Sequence, residues 1–166
     1  MSTRRRGRQQ PSLLRLFLAE RHDPGTFYER LACDVAEDLG PRLPGATVLD
    51  LGCGPGHYTR ALRARGATVL PVDADPGELV LPGGPPAGAV LGDARHLPLR
   101  PGSVDGVLCS NMLEHVPSPR AVVDELARVV RPRGWVWLSW TNWLSPWGGH
   151  ELSPLHYLGG PRASRL

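Results

Sequence analysis

The stretch VLDLGCGPGHYTRAL, residues 48–62, decides the fold. Val48, Leu49 and Leu51 make a short apolar run that carries one acid, Asp50. Gly52, Gly54 and Gly56 follow at every second position. A helix is predicted from His57 to Arg65, ended by Gly66. An apolar strand that enters a helix through glycines brings backbone close to a ligand, because glycine adopts conformations other residues avoid.

The same grammar repeats on both sides. Upstream, PSLLRLFLAE (11–20) offers a short helix. Asp23-Pro24-Gly25-Thr26 then starts a longer one, on which Phe27, Tyr28, Leu31, Ala32, Val35, Ala36 and Leu39 recur at helical spacing. Gly40-Pro41 ends it. Downstream, ATVLPVDA (67–74) reads as a second strand. Pro71 removes a ladder donor there, which predicts an edge position or a bulge. PGELVLPGGPPAG (76–88) is too rich in turn residues for a long helix. AVLGDA (89–94) and SVDGVLCSN (103–111) read as strands three and four. Ser118 is placed to cap a helix with Pro119 in its first turn. Val122, Val123, Leu126, Val129 and Val130 are its expected buried face. Pro132-Arg133-Gly134 ends that helix, and WVWLSWTN (135–142) is strand five. Strands this apolar, alternating with helices, predict a Rossmann-like, doubly wound α/β fold: a mainly parallel sheet with helices on both faces.

Composition narrows the function. The chain has 166 residues, 41% apolar and 21% charged, the profile of one globular domain. No apolar run is long enough for a membrane span, and the N-terminus lacks a secretory pattern, so a cytoplasmic protein with no membrane partner is expected. The net charge of +3 is concentrated in Arg4, Arg5, Arg6 and Arg8, without which it is −1. Residues 1–22 therefore read as a basic, partly disordered segment, and no nucleic-acid partner is expected. All 19 basic residues are Arg. Without Lys there is no Schiff base and no P-loop lysine. Cys33, Cys53 and Cys109 have no metal-ligand or disulfide spacing, and no metal site is expected.

Two common ligands of glycine loops fit poorly. A P-loop would end in Gly-Lys-Ser/Thr, and this loop reads Pro55-Gly56-His57. A dinucleotide fingerprint is G-x-G-x-x-G, and His57 stands where its last glycine belongs. Asp50 would repel a pyrophosphate and favour a cation. Asp73, at the end of the next strand, stands where doubly wound folds place the acid that accepts from ribose hydroxyls. A ligand that is nucleoside-like yet cationic has the features of S-adenosylmethionine.

VLDLGCGPG, PVDAD, LGDARHLPLRPGSVDGVLCSNMLEHV and ELARVVRPRGWVWLSW resemble the successive motifs of class I S-adenosylmethionine-dependent methyltransferases, over roughly residues 27–141. The resemblance implies S-adenosylmethionine as cofactor and a small-molecule methyl acceptor. It implies that Asp50, Gly52 and Gly54 hold the methionine end, with the Gly52 carbonyl accepting from the ammonium. Asp73 would hold the ribose, with Ala74 beside the adenine. Asp93 and Ala94 would border the adenine, Asp93 accepting from its exocyclic amine. Ser110, Asn111 and Leu113 would close the pocket after strand four, and Tyr28 would cap the methionine end. His115, in Glu114-His115, is a weak candidate for a catalytic base, and its neighbourhood in this family commonly serves packing instead.

The chain also departs from the family. Family sheets end in two further strands, and this chain stops at Leu166. A methyltransferase domain over 23–141 is expected, followed by a Trp/Pro/Gly-rich segment over 142–166 that begins a substrate-covering region. Trp140, Trp143, Trp147 and Tyr157 are candidate acceptor-pocket residues. Three readings stay open: an active methyltransferase, a shortened cofactor-binding module with little turnover, and a nicotinamide oxidoreductase, which Asp50 and the glycine spacing disfavour. An exposed sheet edge would favour a homo-oligomer.

Overall fold

The computed structural model describes residues 12–19, 25–80 and 84–140. Five parallel strands form one sheet in the order β3-β2-β1-β4-β5. The elements are α1 (Leu13–Ala19), α2 (Thr26–Leu39), β1 (Thr47–Leu51), α3 (His57–Ala64), β2 (Thr68–Asp73), β3 (Val90–Leu91), β4 (Val104–Ser110), α4 (Pro119–Val129) and β5 (Val130–Ser139). The order reverses between β1 and β4, which creates the crevice where doubly wound folds bind ligands.

Side chains alternate across the strands, so each strand feeds two cores. Val48, Val69 and Leu108 point toward α2 and α3, where they meet Val35, Leu39 and Leu62. Leu49, Leu51, Val107 and Cys109 point the other way, against Val122, Leu126 and Val129 of α4. Helices therefore cover both faces, as the apolar strands predict. Asp50 falls on the α3 side of β1, and Asp73 occupies the same face at the end of β2.

Pro71 sits within an interior strand, not at the sheet's outer edge. Val72 O accepts from Gly52 N (2.8 Å), and Asp73 O accepts from Gly92 N (2.8 Å). Backbone groups alternate sides, so position 71 faces β3. β3 pairs only with Val72 and Asp73. At Pro71 the strand has no neighbour on that side, and the missing N–H deprives no partner.

Two details of α4 differ from expectation. Val123 is 45% exposed, because Val122, Leu126 and Val129 complete the buried stripe without it. Ser118 occupies the N-cap but makes no side-chain cap bond. The helix ends at Val129, before Pro132, and β5 already pairs at Val130↔Val104, with an irregularity before Gly106↔Trp135. Arg133 takes a positive φ of 66° there. Trp143, Trp147 and Tyr157 lie outside the described residues.

Candidate functional site

The glycine loop joins β1 to α3, and all three glycines have positive φ: Gly52 75°, Gly54 47° and Gly56 83°. Their missing side chains make room for neighbours. A Cβ on Gly52 would lie 2.8 Å from Met112 Cγ, and one on Gly56 would lie 2.7 Å from Pro86 Cβ. The turn-rich segment after β2 thus folds back onto the loop. Arg63 of α3 fastens it by donating to Ala87 O (2.9 Å).

Two carboxylates flank the loop. Asp50 is 1% exposed. Its Oδ2 accepts from Thr59 Oγ1 at 2.5 Å. Its Oδ1 is buried and accepts from no described residue. Burial, with a smaller contribution from nearby Asp73, pushes its pKa up to about 6. Asp73 Oδ2 accepts from Gly54 N (2.8 Å) and Oδ1 from Asp75 N (2.9 Å). Asp73 therefore shapes the glycine loop, while a carboxylate's remaining lone pairs can still accept other donors.

A cavity of about 520 Å³ opens beside the ends of β2 and β3. It brings together three residues named from the sequence for the adenine end: Ala74, Asp93 and Ala94. His115 lines it too. Leu91, Gly92, Arg95, Met112, Val116 and Pro117 also line it and were not singled out from the sequence. All but Pro117 fall inside the quoted LGDARHLPLRPGSVDGVLCSNMLEHV motif, so chain proximity to the named residues was the available signal. Arg95 grips Asp93 through Nε and Nη2 (2.7–3.1 Å). Those hydrogen bonds hold the Asp93 carboxyl well below the usual carboxylate range.

The remaining named residues lie outside that cavity. Ser110 Oγ donates to Tyr58 Oη (3.1 Å) and bonds Ser139 Oγ (2.9 Å). Asn111 has a positive φ of 49°, with its N–H donating to Ser139 O (2.9 Å). Leu113 packs against the α4-side core. Tyr28 is 37% exposed and stacks on His57 with ring centroids 6.1 Å apart. Burial pushes the Cys53 thiol up to about 12, which makes it a neutral packing group rather than a nucleophile. Among the described residues no cluster of His, Cys, Asp or Glu could hold a metal ion, and no helix is long and apolar enough to cross a membrane.

Whether these groups suit a cationic nucleoside is testable on the residues themselves. A buried carboxylate oxygen without a partner is costly unless a donor or cation completes it. Asp50 Oδ1 is such an oxygen, beside a loop whose glycines bring backbone close. The residues fit S-adenosylmethionine.

Residues 49–138 match a family model described as a methyltransferase domain. A protein of Mycobacterium ulcerans called an uncharacterized methyltransferase is 43% identical over 164 residues, covering 92% of this chain and 64% of the relative. The chain thus spans 64% of that relative's length. An S-adenosylmethionine-dependent methyltransferase from Mesorhizobium loti superposes with TM-score 0.57 at 25% identity, over 66% of this chain and 53% of that one. A Haloferax volcanii structure, a complex of the Trm112 methyltransferase activator with a chain assigned as a methyltransferase, gives TM-score 0.60 at 26% identity, over 75% and 57%.

Proposed function

Since this chain belongs to the class I S-adenosylmethionine-dependent methyltransferases, we propose that it binds S-adenosylmethionine across the β1/β4 crevice and methylates a small-molecule acceptor. The observation that carries the cofactor reading is the buried Asp50 Oδ1 beside the glycine loop, which accepts from no described residue. In this reading Asp50 and the Gly52 carbonyl accept from the ligand ammonium, and Gly54 lets the backbone approach. Asp73 holds the ribose hydroxyls. Ala74 and Ala94 pack on the adenine, with Asp93 at its amine. Ser110, Asn111 and Leu113 close the pocket after β4, and Tyr28 covers the methionine end.

When bound, S-adenosylmethionine supplies a methyl group already activated on a sulfonium. The chain's residues then have to align and dehydrate the site more than transfer protons. His115 serves as base only where the acceptor carries a proton that must leave. A small acceptor, a cytoplasmic location and self-association through a sheet edge complete the reading. Val90 and Leu91, 50% and 56% exposed on β3, support the last.

Incubation with S-adenosylmethionine labelled on the methyl group and cell extract tests the acceptor class. Label is expected in the small-molecule filtrate. Label in precipitated protein or RNA overturns that class, and no transferred label with a binding-competent chain supports a module without turnover.

A further inference from the structure

Helix α4 is tied to both walls of the cavity. The segment that leads into it supplies one wall through Met112, His115, Val116 and Pro117, and Ala94 and Arg95 belong to the other. The chain leaves that second wall through residues 96–102, which form no helix or strand. Backbone groups in such a segment need partners from elsewhere, and α4 supplies them from one turn. Glu125 Oε1 accepts from Leu97 N (2.7 Å). Arg128 Nη1 donates to Leu99 O (2.7 Å) and Nη2 to Leu97 O (3.1 Å). The same guanidinium holds Glu125, through Nε to Oε2 (2.7 Å) and Nη2 to Oε1 (2.6 Å). Arg128 thus uses two edges of its planar fork, one on a carboxylate and one on two carbonyls, which a lysine cannot do. Glu125 is 12% exposed, so these charge-assisted bonds form largely out of water, where they are stronger. Burial of the Leu97 side chain against the α4-side core fixes where the segment lies. The clamp fixes how its backbone is turned, just after the Asp93 O to His96 N turn (2.9 Å) that carries Ala94 and Arg95.

We propose that Glu125 and Arg128 are positioning residues for the cofactor site: by clamping residues 97–99 to α4 they hold the Ala94–Arg95 wall in place against the Met112–Pro117 wall before a ligand arrives. The proposal rests on the S-adenosylmethionine reading and adds two residues that touch no ligand, since neither lines the cavity. A wall set in advance leaves less backbone to order on binding, so preorganisation is read as affinity without a contact. Released from the clamp, residues 94–99 have to be ordered by the ligand itself, and the ligand binds more weakly.

A clamp that only strengthens the fold is the competing account. Calorimetry and amide hydrogen exchange on the full chain separate the two, in the wild type, Arg128→Met and Arg128→Lys. The probes are S-adenosylhomocysteine and 5′-methylthioadenosine, which shares the nucleoside and lacks the amino-acid end. Arg128→Met is expected to weaken both ligands by a similar factor of about ten, because the released wall belongs to the nucleoside cavity. Arg128→Lys keeps a charge beside Glu125 without the fork and is expected to weaken both nearly as much. Amides over residues 94–99 are expected to be protected in the wild type with or without ligand, and in Arg128→Met only when S-adenosylhomocysteine is bound. Should Arg128→Met not fold, Arg128→Lys carries the same comparison. Folded variants with a lower melting temperature, wild-type affinities and no ligand-dependent recovery of protection overturn the proposal while leaving the cofactor reading intact. A loss confined to S-adenosylhomocysteine also overturns it, since that places the effect at the methionine end. A folded wild type that binds neither ligand removes the cofactor reading itself, and the proposal with it.

Discussion

Asp50 is the residue whose energetics and role are most tightly joined. Its pKa rises from 3.8 to about 6 because burial disfavours the charged form. Between those values the native state binds more protons than the unfolded chain, so stability falls as pH rises through that window. Above it the buried charge costs about 3 kcal/mol. Asp50→Asn keeps an acceptor for Thr59 and removes the charge. It should stabilise the chain by about 1–3 kcal/mol at pH 8 and change little at pH 4, as read by urea unfolding. Calorimetry should show S-adenosylhomocysteine binding by the wild type weakening below about pH 6, where Asp50 gains its proton, and no such pH dependence in Asp50→Asn. The cysteines give a second residue-scale expectation. Cys33 is exposed, whereas Cys53 and Cys109 are buried with thiols pushed up to about 12 by burial. A disulfide reagent should label one thiol quickly in the native chain and all three in denaturant. Asp50's position was legible from the strand motif, and its elevated pKa was not, since desolvation depends on what α3 places above it.

At the scale of elements, the strand-loop-helix unit was readable because glycine spacing and apolar periodicity are local signals. What escaped was set by tertiary contacts. The segment 76–88 has no period, and nothing in it announces that Pro86 would fill the space at Gly56. Val123 was grouped with its apolar neighbours, yet the sheet needs only the stripe of Val122, Leu126 and Val129. Pro71 argued for an edge, and the structure supplies a local one because β3 is two residues long. The Asp93–Arg95 fork joins residues two apart, which strand alternation would place on one side, but the grip itself depends on a turn no periodicity describes. The β4/β5 contact is the most sensitive element pair. A Cβ at Gly106 would run into the indole of Trp135 across the strands. Gly106→Ala should therefore destabilise the fold by about 1–3 kcal/mol, visible as a lower urea midpoint with an unchanged slope. Wild-type stability in that variant would mean that Trp135 has room to move.

For the whole molecule, strand order does the functional work. Reversal of the strand order between the parallel β1 and β4 sets Asp50, the glycine loop and Asp73 at one end of the sheet, with the Asp93 cavity beside them. The parallel α/β class followed from alternation of strands and helices, whereas the strand order is set by tertiary pairing that no local signal carries. The composition of the cavity wall was only half legible. Ala74, Asp93 and Ala94 were named, whereas Met112 and Arg95 entered through the way two loops turn after their strands. The central claim is that this end of the sheet binds the methyl donor, and calorimetric titration of the chain with S-adenosylhomocysteine at pH 7.5, beside Asp73→Asn, tests it most directly. The account predicts one site with a dissociation constant on the order of 10 μM, lost when Asp73 no longer holds both the Gly54 amide and the ribose. A folded wild-type chain that gives no binding heat and no ligand-dependent rise in melting temperature would contradict it.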